Sequence, residues 1–242
     1  MIKAARMSSI ADNIKKIKEE TAKKLISLGR PEDDLTIVAV TKTHPVEVIE
    51  KALLNGISHI GENKVQEAMH KIPFITVPYE GFHFIGHLQS NKINNLLKLK
   101  PMLIQSIDSL YLAQQLNRAL GRKNLTQDIL IQVNTTAETS KGGVNPENAI
   151  DMIWQIAALP CLNIKGLMTI GKLSPDPENT RPYFRKLRKL KEKIEAEKIP
   201  EVEMKYISMG MSEDYLIALE EGSNMLRLGT IIFGARNYGG TN

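Results

Sequence analysis

Apolar and polar positions along the chain alternate between two rhythms. The first is helical: Ile10, Ile14, Ile17, Leu25 and Ile26 share one face, and Ser9 with Asp12 three residues later has the spacing of a capping box. Gly29-Arg30-Pro31 ends this helix. Beyond it, short apolar runs at 35–41, 57–61, 82–86, 103–106, 129–134, 164–170, 205–208 and 225–233 predict strands. Helical periods at 45–54, 63–70, 91–99, 109–120, 146–158, 182–198 and 212–221 lie between them. Proline or a capping residue opens several of these helices, and Gly56, Gly121 and Gly222 lie just past three of them.

Eight strands with intervening helices describe an α/β protein, either a (β/α)8 TIM-type barrel or a doubly wound sheet, and the count favours the barrel. Few residues follow the eighth strand (Asn237-Tyr238-Gly239-Gly240-Thr241-Asn242), so the helix that normally comes after it is expected to be missing. The N-terminal helix would then cover the open flank. No linker, low-complexity tract or repeat beyond the βα period divides the chain. Residues 1–242 are expected to form one barrel domain, with residues 1–30 as an additional N-terminal helix packed on it.

Composition adds exclusions. The 242 residues are 42% hydrophobic and 24% charged, as in an ordinary soluble domain, and no apolar run approaches the roughly 20 residues that span a bilayer. The N-terminus has no apolar core of a signal peptide, and its acidic residues argue against a transit peptide. The single Cys161 excludes an intrachain disulfide and suits a reducing compartment, so a cytoplasmic location is expected, with Cys161 as packing rather than nucleophile. The net charge is +5, and the densest basic run, 185–198, interleaves Leu and Ile with Glu192, Glu195 and Glu197. That is a solvated helix face rather than a nucleic-acid surface. Neither a membrane nor a nucleic acid is an expected partner, and the chain is expected to be a monomer.

Three familiar chemistries fail on spacing. Residues 166–172 are nearly a phosphate-binding Walker loop, but Leu173 stands where Ser or Thr should hold magnesium, and the run reads as a buried strand. His83 and His87 would lie about 13 Å apart on an extended strand, too far to share an ion. His59 and His70 lack spaced partners, so no metal site is expected. Ser90 and Ser140 each have a lysine nearby but no nucleophile motif.

Barrels carry chemistry at the C-terminal ends of their strands, with a phosphate often held after strands seven and eight. Strand seven ends in Ser208-Met209-Gly210-Met211-Ser212, where Ser212 is placed to cap the next helix beside free amides. Taken alone, that loop reads as turn and cap. Strand eight adds Arg227-Leu228-Gly229-Thr230, a second phosphate-compatible loop at the other expected position. The first strand neighbours the eighth on closure and delivers Lys42 within Ala39-Val40-Thr41-Lys42-Thr43-His44-Pro45. A lysine beside a phosphate subsite is the arrangement that holds pyridoxal phosphate (PLP) as a Schiff base. Arg227 would face the pyridine nitrogen and, unlike a carboxylate, disfavour its protonation and weaken the ring as an electron sink.

The segments AVTKTHP, HIGENKVQE, HFIGHLQSNK, KGLMTI, SMGMSEDY and RLGTIIFGAR, in order from about Leu35 to Arg236, resemble the pyridoxal phosphate homeostasis family. The resemblance implies a barrel like the alanine racemase N-terminal domain, with PLP covalent on Lys42, phosphate contacts from Ser212, Gly229 and Thr230, and Arg227 near the pyridine nitrogen. Asn63, His87 and Met168 match motif positions that line or border the same mouth; Ser208 and Gly210 belong to the loop motif. The function implied is intracellular PLP and amino-acid homeostasis without efficient catalysis, with apo-enzymes that use PLP as recipients. The alternative is a PLP-dependent amino-acid racemase. Alanine racemase draws a tyrosine base from a second domain, so Tyr79, Tyr206 and Tyr215 would be the substitutes to look for.

Overall fold

The computed structural model describes residues 9–138, 141–172 and 174–234. Eight parallel strands close on themselves in sequence order: β1 (Thr36–Val40), β2 (His59–Glu62), β3 (Gly81–Phe84), β4 (Leu103–Ile107), β5 (Gln127–Gln132), β6 (Leu162–Met168), β7 (Val202–Ser208) and β8 (Met225–Leu228). Closure is direct, with β1 paired to β2 on one side and to β8 on the other, Val38 aligning with His59 and with Arg227. Outside lie α1 (Ile10–Ser27), α2 (Val46–Leu54), α3 (Val65–Met69), α4 (Ile93–Lys98), α5 (Leu110–Gly121), α6 (Ala149–Ala157), α7 (Arg181–Glu197), α8 (Tyr215–Glu220) and α9 (Thr230–Phe233). This is the TIM-type barrel that the strand count favours.

Strand alternation sorts the interior into two bodies, because neighbouring side chains face opposite sides of a sheet. Ala39, Ile60, Ile104, Ile129, Ile164 and Leu226 join the outer core between barrel and helices. Val38, Leu103, Leu130, Met168 and Met225 fill the lumen as a separate cluster. Every one of these side chains is buried, so the lumen is packed rather than open.

The capping box of α1 is present: Ser9 Oγ accepts from the Asp12 amide at 3.1 Å, and Asp12 Oδ2 accepts from the Ser9 amide at 3.2 Å. This helix covers the flank after β8, where Asn13 Nδ2 donates to the Ile232 carbonyl at 3.0 Å and Lys24 pairs with Glu220 at 2.6 Å. The basic run of α7 is partly neutralised by α8: Arg181 meets Glu220 at 2.6 Å and Arg185 meets Glu221 at 2.8 Å.

Two expectations need correction. The run 225–233 is not one strand: β8 stops at Leu228, and Thr230–Phe233 turn into α9, so a short helix does follow strand eight. Ser212 does not cap α8, which starts three residues later at Tyr215 with Asp214 at its N-cap. Of the near-Walker run, residues 166–168 lie in β6, an extended strand and not a phosphate-wrapping loop. Ser140, Leu173, the first eight residues and the tail beyond Gly234 lie outside the described residues. No helix is long and apolar enough to cross a membrane, and no three His, Cys, Asp or Glu side chains group as for a metal ion, both among the described residues.

Candidate functional site

Lys42 follows β1 in a tight turn whose next residue, Thr43, has a φ of +68°. Such a turn needs anchoring, and both neighbours of Lys42 have it. Buried Thr41 takes the Gly61 carbonyl on its amide at 3.0 Å and donates its hydroxyl to Glu62 Oε1 at 2.7 Å. The Thr43 amide donates to Glu67 Oε1. Lys71 ties these together, donating to the Thr41 carbonyl at 2.9 Å, to Glu62 at 3.0 Å and to Glu67. Burial pushes the Glu62 carboxyl up, with Thr41 and Lys71 opposing. Burial also pushes Glu67 up, but Lys71 and the Thr43 amide outweigh it and leave that carboxyl low.

The half-buried Lys42 lines two adjoining cavities of about 300 and 550 Å³, which share Val40, Lys42, Met211 and Arg227 as walls. The smaller one continues over Ser212, Gly229 and Thr230. Ser212 Oγ accepts from the Ile231 amide at 3.2 Å, tying the loop after β7 to the first turn of α9. A side chain at Gly229 would meet only Val40, at an ordinary 3.5 Å. Gly210 is different. Its φ is +96° and a Cβ there would lie 2.5 Å from Ala218 Cβ, so packing against α8 demands glycine. Asp214, buried below this loop, accepts the Met211 amide at 2.7 Å; burial raises its carboxyl while that amide and Arg227 pull it down. Glu213 stays exposed on the rim.

Arg227 is 5% exposed, reaching the mouth from inside β8. Its Nη1 donates to Ser208 Oγ at 2.6 Å and its Nη2 to the Thr169 carbonyl at 2.8 Å. Burial brings its pKa down to about 10, with Asp214 opposing, so the guanidinium stays charged at neutral pH.

Asn63 and His87 stand on the larger cavity together with Asp108, Gln132 and Lys141. Asn63 Oδ1 is buried and has no hydrogen-bond partner among the described residues. His87 Nδ1 lies 3.3 Å from Asp108. The structure therefore brings Lys42, Arg227, Ser212, Gly229 and Thr230 together, with Asn63 and His87 on the adjacent wall. Met168, Ser208 and Gly210 line neither cavity; Met168 and Ser208 are fully buried. Sequence reasoning missed Asp108, Gln132, Lys141 and the Glu62–Lys71–Glu67 clamp. Position was their one signal, since Glu62 and Gln132 end their strands and Asp108 follows β4.

No tyrosine among the described residues lines either cavity. Tyr215 donates its hydroxyl to Glu20 on α1, Tyr206 lies under the Lys205 ammonium at 5.0 Å, and Tyr79 packs against the outer core.

The family described as alanine racemase, N-terminal domain, matches residues 6–237. A pyridoxal phosphate homeostasis protein of Aquifex aeolicus is 39% identical over 233 residues, covering 96% of this chain and 98% of its own. An unknown protein from Bifidobacterium adolescentis superposes with a TM-score of 0.88 at 33% identity, covering 96% of this chain and 98% of its own. PipY of Synechococcus elongatus, solved with PLP bound, has a TM-score of 0.76 at 31% identity, covering 88% of this chain and all (100%) of its own. By sequence and by fold, the chain belongs to the pyridoxal phosphate homeostasis protein family, built on the alanine racemase N-terminal domain.

Proposed function

We propose that this protein binds PLP in the mouth of the barrel, covalently through Lys42 Nζ, and serves PLP and amino-acid homeostasis by holding the cofactor without efficient turnover of amino acids. One observation carries the reading: Lys42 shares a single cavity wall with Ser212, Gly229, Thr230 and Arg227. The residues fit the group. The cavity offers a clamped lysine for an aldehyde, and two hydroxyls beside open glycine backbone for a phosphate. The buried Asn63 Oδ1, unpartnered among the described residues, is an acceptor suited to a ring hydroxyl. When bound, PLP supplies an aldehyde carbon open to attack by an amine. The chain's part is to hold that amine at the end of β1, to place a permanent cation at Arg227, and to keep the phosphate oxygens on Ser212 and Thr230.

PipY, a relative with the same barrel, is described with PLP bound, which supports the ligand assignment. The absence of a tyrosine from both cavities among the described residues supports holding over racemisation. Apo-enzymes that use PLP are the proposed recipients, in the cytoplasm, with the chain acting as a monomer. The test is an absorption spectrum of the purified protein before and after borohydride, followed by transfer of bound PLP to an apo-enzyme. A band that borohydride abolishes, with recovery of the apo-enzyme's activity, is expected; no band at any PLP concentration overturns the reading.

A further inference from the structure

A file of hydrogen bonds runs through the barrel lumen from Arg227 to the opposite end. Arg227 Nη1 reaches Ser208 Oγ at 2.6 Å, and Ser208 Oγ reaches Gln105 Oε1 at 2.6 Å. Gln105 Nε2 reaches His83 Nδ1 at 3.0 Å, His83 Nε2 reaches His59 Nδ1 at 3.0 Å, and His59 Nε2 lies 3.2 Å from Glu80 Oε2. Ser208, Gln105 and His83 are each 0% exposed. Glu80, before β3, has a side chain 71% exposed and borders a recess with Lys18, Asp33 and Ser58 at the base of the barrel.

The two ends dictate every proton between them. A guanidinium only donates, so Ser208 must accept from Arg227 and pass its own proton to Gln105 Oε1. That turns the Gln105 amide NH2 toward His83, whose Nδ1 must then accept, leaving its proton on Nε2. His83 donates to His59 Nδ1, and His59 keeps its proton on Nε2 for the Glu80 carboxylate. All five links donate in one direction, from a cation to an anion. Burial holds both imidazoles neutral, driving His83 down to about 3 and lowering His59 against the pull of Glu80.

We propose that this chain positions the Arg227 guanidinium, making Ser208, Gln105, His83 and His59 positioning residues for a site at the other end of the barrel. The functional half rests on the reading of the mouth as a PLP site. The file is also reversible. A second proton on His59 Nδ1 would face the Nε2–H of His83 donor to donor. Relief requires His83 to move its proton to Nδ1, Gln105 to turn its amide and Ser208 to redirect its hydroxyl, and the rearrangement ends at Arg227. His83 on β3 and Glu80 before it face His59 directly; Lys18 on α1 and Asp33 line the same recess.

The test begins with the full chain free of cofactor, by 15N NMR of the imidazoles and of the arginine side chains. At neutral pH both His59 and His83 should be neutral with the proton on Nε2. Acid titration of His59 should shift the His83 and Arg227 resonances together. A proton on Nδ1 of either ring, or Arg227 signals indifferent to His59, overturns the chain. The second arm measures PLP retention. Glu80→Lys, a surface change, should leave thermal unfolding nearly unchanged yet move the Arg227 signals and weaken retention by between about twofold and thirtyfold. His59→Gln, which can still accept from His83 and donate to Glu80, should retain PLP better than His59→Leu. Altered Arg227 signals with identical retention in all three variants would overturn the positioning role. Were the unaltered chain to bind no PLP, the site reading would fall alone, and the imidazole protons would still decide the chain.

Discussion

The Lys71 ammonium donates to the carbonyl oxygen of Thr41 at 2.9 Å, one residue before Lys42. That bond, with the contacts of Lys71 to Glu62 and Glu67, fixes the backbone on which the candidate lysine turns into the mouth. Removing one partner of a buried ion pair leaves the other charge stranded, at a cost of about 3–5 kcal/mol, whereas replacing both is far milder. Lys71→Met should therefore destabilise the fold much more than the double change Glu62→Gln with Lys71→Met. Chemical denaturation of both variants checks this, and equal losses would show that the clamp adds nothing beyond packing.

Lys42 should be the residue that holds PLP. Borohydride followed by peptide mapping should find the cofactor on the peptide containing Lys42, and Lys42→Ala should remove that label. Lys141 also lines the larger cavity, where it donates to the Gly171 carbonyl at 2.9 Å and to Glu138 at 3.0 Å, and it is the competitor the mapping must exclude. A stable adduct confined to Lys64, Lys141 or Lys172 in the unaltered chain would contradict the assignment.

Ser212 and Thr230 should act on the phosphate. Ser212 already spends an acceptor lone pair on the Ile231 amide, which orients the hydroxyl without using its proton. Charge-assisted bonds of this kind contribute about 1.5–3 kcal/mol. Ser212→Ala and Thr230→Val should each weaken PLP retention by that much and leave pyridoxal, which lacks the phosphate, almost unaffected. Parallel losses for both ligands in a titration would place these hydroxyls elsewhere in the site.

The barrel was readable because its signals are local. Each strand is a short apolar run bounded by turn residues, and α1 begins with an intact capping box. The errors arose where local pattern is ambiguous. Met225 to Phe233 is largely one apolar run, yet the chain leaves the strand after Leu228 and turns at Gly229 into a helix. Ser212 sits before a helical pattern, yet Asp214 occupies the N-cap, with its carboxylate accepting from the Met211 amide of the loop before it. Lys42, Ser212, Gly229 and Thr230 were legible as ends of consecutive or closing strands. The lumen file was not. His59, His83, Gln105 and Ser208 are inward positions by period-two counting, but their contacts depend on the stagger between strands. In that stagger Gly61, not His59, aligns with His83, and the side chains meet across the offset.

Folding stability should carry the signature of the neutral imidazoles. His83 takes a proton near 6.5 when unfolded and only at about 3 when folded. The unfolded chain thus binds more protons between those values, and stability is lost as pH falls through that window. Glu62 and Asp214, pushed up by burial, act in the opposite sense, so a bare pH profile would mix the terms. Comparison with His83→Gln separates them: its stability should depend less steeply on pH between about 6.5 and 5, where ordinary carboxylates stay ionised in both states. Superimposable slopes would mean that His83 is protonated in the folded protein.

Retention of PLP should not be accompanied by efficient amino-acid racemisation. Holding the cofactor needs an amine and a phosphate cradle, whereas inverting a carbon needs acid–base groups on both faces of it. Lys42 can serve one face. On the other wall stand Asn63, His87 and Asp108, with no tyrosine among the described residues, and the His87 side chain is 70% exposed beside Asp108. If Arg227 meets the ring nitrogen as proposed, its charged guanidinium would oppose protonation there and weaken the ring's capacity to accept electrons. The decisive measurement is α-proton exchange into deuterated water across L- and D-amino acids, run with unaltered protein, Lys42→Ala and His87→Ala. Slow exchange without inversion is expected in all three. Rapid inversion that disappears with either substitution would assign the two faces to Lys42 and His87 and make the protein a racemase.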